Sequence, residues 1–258
     1  MGPIDNLPLE TALQEAESVL CGTSWESDLE WRALQLAKTH CKRSTSVLDH
    51  WVNYRDRFVR NGKVILPDEL VVGDEYANEI ATSIFAGTPV KMIENPYLMD
   101  VSKELDKAKR KHENSPPERR NEFQILYCTE PTSEHAALQH GNPNHWGYTE
   151  ESALRFALGN LSIISNDVNR IIVRPHPSEK AGKYDWALCA SDPEIVISEG
   201  RSLVEDIVSS DAVVGCNTMA MAVGMLAGKP VYCSIPPEGT PCRLPHREIV
   251  MLSDVLAA

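Results

Sequence analysis

The sequence predicts an α/β protein with two Rossmann-like, doubly wound parallel sheets facing a cleft, the first of them abbreviated. Three features carry this expectation. Short apolar runs alternate with helical stretches from Ser18 to Ile93, the alternation resumes from Phe123 to Cys233, and a polar stretch from Val101 to Asn121 separates the two series.

In the first series a strand is expected over 18–22 and a helix over 26–40, where Leu29, Ala33, Leu36 and Ala37 share one face. Further strands are expected over 44–48, 69–72 and 89–93, with a helix over 75–85. Four strands joined by crossovers imply a parallel sheet. The stretch 101–121 reads as an interdomain connector; its charges are mixed in sign, which suits a solvated helix face better than a basic patch. The domains expected are therefore 1–100, a linker over 101–121, and a second Rossmann-like domain over 122–258. The second series gives strands over 123–127, 170–173, 194–197, 212–214 and 231–233, with helices over 149–164, 202–208 and 219–227. Gly228 is placed to stop the last helix in a left-handed conformation, and Pro230 opens the next strand. Ligands in such folds sit beyond the carboxyl ends of the strands, so the cleft is the expected site.

Composition narrows the function classes. With 42% hydrophobic and 24% charged residues the 258-residue chain is globular. No apolar run approaches the ~18 residues of a membrane span, and the first residues lack the basic and apolar regions of a leader. The expected placement is cytoplasmic, with the inner face of the membrane as a peripheral alternative. A net charge of -12 opposes contact with a nucleic-acid backbone. The seven cysteines are scattered without a C-x-x-C pair, and no Asp-x-Asp pair or close histidine set occurs, so reduced thiols and no metal are expected.

Two segments carry chemistry. In Ile171-Ile172-Val173-Arg174-Pro175-His176-Pro177-Ser178-Glu179 an apolar strand stops at a histidine braced by two prolines. Its imidazole can donate to a phosphate oxygen, with charge added by Arg174 or Lys180; a turn histidine without a ligand is the structural alternative. In Ser209-Ser210-Asp211-Ala212-Val213-Val214-Gly215-Cys216-Asn217-Thr218-Met219 a strand turns through small polar residues straight into a helix. The first amides of that helix are unpaired and its dipole is positive there, so an anion can bind beside Asn217 and Thr218. Simple capping by Asn217 is the competing explanation. The imidazole and the helix start are expected to converge on one negatively charged group.

The order Arg-Pro-His-Pro, then Ser202-Leu203-x-x-Asp206-Ile207, then Ser-Asp-Ala-Val-Val-Gly-x-Asn-Thr, then Gly-Lys-Pro-Val resembles the C-terminal half of GT-B-fold glycosyltransferases of bacterial surface polysaccharide synthesis. It is similar to capsule-type sialyl- and Kdo-transferases and to CDP-glycerol glycerophosphotransferases. The resemblance covers about 171–231 and reaches the first half only as architecture. It implies that His176, and Asn217 with Thr218, hold the donor's phosphate. The donor-binding set is thus Arg174, His176, Ser178, Asn217, Thr218 and Met219. Many UDP-sugar members carry a ribose-binding glutamate five residues before the glycine of Gly-Lys-Pro, where this chain has Val223. That departure favours a CMP- or CDP-linked donor and sets the related sugar-nucleotide 2-epimerases behind.

An inverting transfer needs a base for the acceptor hydroxyl. Polar clusters follow the first three predicted strands, and Asp28, Asp49 and His50 are the candidates; each can instead cap a helix or bond across its loop. Trp25, Trp51 and Tyr54 can stack on a sugar or pack as core. The long polar loop after residue 128 reads as a lid or binding loop, with Glu130 and His145 as acceptor-site or donor-site candidates. The expected partners are a nucleotide-sugar donor as co-substrate, with no other cofactor, and a glycan or lipid-linked acceptor; a homodimer is left open. Two further functions stand beside the glycosyltransferase: a non-catalytic nucleotide-binding or scaffold protein of the same fold, and a CDP-glycerol-type glycerophosphotransferase.

Overall fold

The computed structural model of the chain describes residues 7–24, 27–114, 122–189 and 192–257. It forms two compact units, Met1–Pro96 and Tyr97–Ala258. The first contains α1 (Leu9–Glu15), β1 (Ser18–Cys21), α2 (Leu29–Thr39), β2 (Arg43–Leu48), a hairpin of β3 (Val59–Arg60) and β4 (Lys63–Val64), β5 (Glu69–Val72), α3 (Glu75–Ile84) and β6 (Val90–Met92). Its main sheet has the order β1-β2-β5-β6, and each neighbouring pair is parallel. Three consecutive residues of β5, Leu70, Val71 and Val72, are buried, as a strand covered on both faces requires. Asp74 starts α3, accepting from the Ala77 amide at 2.7 Å.

The second unit contains α4 (Pro96–Glu113), β7 (Phe123–Cys128), α5 (Thr132–His140), α6 (Glu150–Gly159), β8 (Val168–Arg174), β9 (Glu194–Ile197), α7 (Leu203–Ser209), β10 (Ala212–Gly215), α8 (Met219–Leu226), β11 (Val231–Cys233), β12 (Val250–Met251) and α9 (Leu252–Ala257). Its strands run β12-β11-β10-β7-β8-β9, all parallel. Chain order therefore reverses between β7 and β10, and in doubly wound sheets the crevice for a ligand opens at such a reversal. Ile125, Tyr127, Ile171, Val173, Ile195 and Val214 form the core together with Leu154 and Ala157 of α6.

The expected strands are present, and Gly228 has the expected left-handed φ of 76°. Several local expectations need correction. The stretch read as a connector is, as far as Glu113, the body of α4, because Val101 and Leu105, one turn apart, are buried; residues 115–121 lie outside the described residues. The loop after Cys128 contains α5, with Thr132 and Ala136 buried. The helix expected over 149–164 ends at Gly159 and is followed by a separate short turn, Leu161–Ile163. The helix expected over 26–40 starts at Leu29, and Trp25 and Glu26 lie outside the described residues. Trp51 and Tyr54 are buried, as core packing requires. No helix among the described residues is long and apolar enough to cross a membrane.

Candidate functional site at the carboxyl edge of the second sheet

Strand β8 ends at Arg174 and delivers His176 to the carboxyl edge of the sheet. The ring is exposed. Its Nδ1 accepts from the Ser178 amide at 3.2 Å and lies 2.7 Å from Ser178 Oγ. Since a backbone amide can only donate, Nδ1 carries the lone pair, and Nε2 holds the proton and points away from the turn. Ser178 thus orients the imidazole.

Glu179 holds this turn from below. Its side chain is fully buried, and it accepts from the His176 amide at 2.8 Å, from Tyr184 Oη at 2.6 Å, from Lys183 Nζ at 2.9 Å and from Thr129 Oγ1. Burial alone would raise the carboxyl's pKa, but the hydrogen bonds from Thr129, Tyr184, Lys183 and His176 outweigh it and hold the group below the ordinary glutamate range. Lys183 also binds Glu134 and Glu150. Among the described residues these three glutamates are the acidic group close enough to hold a metal ion, and the ammonium of Lys183 is bonded to all of them.

Arg174 is engaged elsewhere. Its Nη1 donates to Asp206 at 2.7 Å, to the Arg201 carbonyl at 3.0 Å and to Ser198 Oγ at 3.1 Å, and Asp206 is fully buried. The Ser202 to Asp206 motif is structural on the same grounds: Ser202 and Glu205 form a capping box, and Asp206 ties α7 to the end of β8.

Strand β10 turns into α8 through Cys216, Asn217 and Thr218. Thr218, rather than Asn217, is the N-cap, its Oγ1 accepting from the Ala220 amide at 3.3 Å. Asn217 is engaged through its backbone amide and both polar atoms of its side chain. Its amide donates to Glu130 Oε2 at 2.8 Å, its Nδ2 donates to Tyr148 Oη at 3.2 Å, and its Oδ1 accepts from the Arg243 amide at 2.7 Å. The amides of Thr218 and Met219 donate to no acceptor among the described residues. Strand β7 lies between β8 and β10, so the ends of those two strands stand about 10 Å apart, twice the ~4.8 Å between neighbours. Thr129 and Glu130, just beyond β7, link the two segments, Thr129 bonding to the His176 turn and Glu130 to the start of α8. The sequence offers Glu130 as an acceptor-site or donor-site candidate but not its bond to Asn217, which is 87 residues away.

Of the residues expected in the first unit, Asp28 pairs with Arg60 Nε at 2.7 Å and Asp49 with Arg57 Nη1 at 3.0 Å. Both carboxylates are largely exposed, and each keeps one oxygen without a partner among the described residues. His50 Nδ1 accepts from the Trp51 amide at 2.9 Å, which uses the ring's basic nitrogen.

No protein-family model matches the sequence, and no curated protein matches it significantly. The structure is similar to the UDP-GlcNAc 2-epimerase of Methanocaldococcus jannaschii, with a TM-score of 0.53 at 13% identity, over 87% of this chain and 63% of that one. The fold is GT-B-like. The chain thus spans less than two thirds of that structure's length. Weaker likenesses are to the β-Kdo 2,4-transferase KpsC of Thermosulfurimonas dismutans (TM-score 0.37, 16% identity, 83% of this chain and 67% of that one) and to the wall teichoic acid polymerase TagF (0.34, 13%, 84% and 70%).

Proposed function

We propose that the chain is a metal-independent, inverting glycosyltransferase that takes a sugar from a nucleotide-linked donor, CMP- or CDP-linked in preference to UDP-linked, and passes it to a surface glycan or lipid-linked acceptor in the cytoplasm. The observation that carries this reading is the pair of unpartnered amides, Thr218 and Met219, at the strand-order reversal. They lie at the positive end of the α8 dipole, and two neighbouring N–H groups there suit a phosphate oxygen.

His176 supplies the second contact through Nε2, reaching from across β7 to a phosphate oxygen of the donor other than the one the amides hold. Arg174, Ser178 and Asn217 then act as positioning residues. Ser178 orients the imidazole, Asn217 fixes the loops around the helix start, and Arg174 ties β8 to α7.

In the transfer, the acceptor oxygen bonds to the sugar's anomeric carbon as the bond from that carbon to the donor phosphate oxygen breaks. The amides and Nε2–H stabilise the charge that builds on the departing phosphate. For the acceptor's proton the first unit offers Asp49, directly beyond β2 with one free carboxylate oxygen; Asp28 and His50 rank behind it, since Arg60 stitches Asp28 into its loop and the basic nitrogen of His50 is occupied.

His176→Ala should lower donor turnover on the order of 100-fold, as loss of a transition-state donor does, while the melting temperature stays put because the ring is exposed. Unaltered turnover would exclude the assignment. Tight binding of CMP or CDP without hydrolysis or transfer would favour the non-catalytic nucleotide-binding protein, and consumption of CDP-glycerol the glycerophosphotransferase.

A further inference from the structure

Next to the start of α8 the second unit forms a cavity of about 120 Å³, open on one side, between the loop after β7, α5, and the loop after β11. One wall is Asn217, whose amide is the one immediately before the two unpartnered amides. Glu130 faces the cavity with one oxygen held by that amide; its other oxygen, Oε1, has no protein partner among the described residues. Tyr148 Oη accepts from Asn217 Nδ2, and its own proton has no acceptor among the described residues. Trp146 and Thr240 complete the wall, and Arg243 stands on the same side. The cavity thus combines a charged acceptor, a hydroxyl donor and an aromatic surface.

These features decide between ligand classes. A second phosphate is disfavoured by the carboxylate, and a cation is disfavoured by the nearby guanidinium. A small hydroxylated group meets every wall: its hydroxyls donate to Glu130 and accept from Tyr148, and its C–H face lies against Trp146.

Resting on the reading that a donor phosphate lies against the Thr218 and Met219 amides, we infer that this cavity is the subsite for the transferred group of the donor, a hydroxylated sugar or polyol, with Glu130 and Tyr148 as its specificity-determining residues. Burial pushes the Glu130 carboxyl above the ordinary range, against the pull of the Asn217 amide and Arg243, as befits a group short of partners until a ligand arrives.

Calorimetric titration of the full chain with matched pairs, CMP and CMP-N-acetylneuraminate, CDP and CDP-glycerol, UDP and UDP-GlcNAc, tests the inference. Glu130→Gln keeps an acceptor for the Asn217 amide while removing the charge. It should weaken the intact donor of the preferred pair about tenfold and leave the bare nucleotide within twofold of wild type. Tyr148→Phe, which removes only the hydroxyl, should give a smaller loss of the same selectivity. Equal loss for nucleotide and donor in both variants, or no loss in either, would overturn the subsite while leaving the phosphate site standing. Failure of the wild-type chain to bind any of the six compounds would overturn the proposed function and the subsite together.

Discussion

In the first unit the strands follow chain order, β1-β2-β5-β6, whereas in the second the order reverses between β7 and β10. The carboxyl edges differ accordingly. Along the first, buried Arg57 donates to the Thr23 carbonyl and hydroxyl, the Val52 carbonyl and Asp49, and Arg60 stitches the loop carbonyls of Ser24, Ser27, Asp56 and Val59 to Asp28. Along the second, the segments leaving β7 and β10 part, and what remains between them is a half-satisfied carboxylate, two unpartnered amides and a cavity. The reversal leaves polar groups without partners among the described residues, and in doubly wound sheets it is at such a point that the crevice for a ligand opens.

The contrast can be broken hardest at Glu179, the saturated counterpart of Glu130. Glu179→Ala should cost about 4 kcal/mol at neutral pH in chemical denaturation, since it strands Lys183 and the His176 turn. Its folded-state pKa lies below the ordinary glutamate value of 4.5, so its contribution is present above that pH and is lost as the pH falls through the lowered folded value. The gap between variant and wild type should therefore close in acid. A constant gap from neutral pH to below pH 4 would show that packing, not charge, holds the turn.

A smaller effect separates the first edge. Arg57, only 8% exposed, anchors three loop oxygens and Asp49, and Arg57→Met should lower stability by about 2 to 3 kcal/mol without changing nucleotide affinity. Weakened affinity in the still-folded variant would show that the closed edge also contacts the nucleotide.

Much of the fold was legible because it is written in local periodicity: runs such as Ile171-Ile172-Val173 and Leu70-Val71-Val72 are too short and too apolar to be surface helices. The hairpin at Asn61-Gly62, with φ of 49° and 74°, is absent from the expected elements because its flanking strands have only two residues each and carry no alternation. Helix α4 was obscured by its charges, since only two buried positions, Val101 and Leu105, mark its inner face. Of the site, the His-Pro turn and the helix start of α8 could be read as segments. What those segments do could not. Asn217 meets Glu130, Tyr148 and Arg243, each 26 or more residues away, and Arg174 meets Asp206 32 residues away. Such pairings follow from strand order, which no local pattern encodes.

Met219 offers the sharpest measurement. It is the first residue of α8, a position where proline fits and removes the N–H without breaking a helix hydrogen bond, at the cost of a half-buried side chain, and Thr218 before it already has the extended backbone that proline demands, with φ -80° and ψ 144°. Met219→Pro should leave the melting temperature unchanged and weaken binding of the preferred nucleotide, CMP or CDP, about tenfold by calorimetry. Wild-type affinity in that variant would contradict the phosphate site at the strand-order reversal.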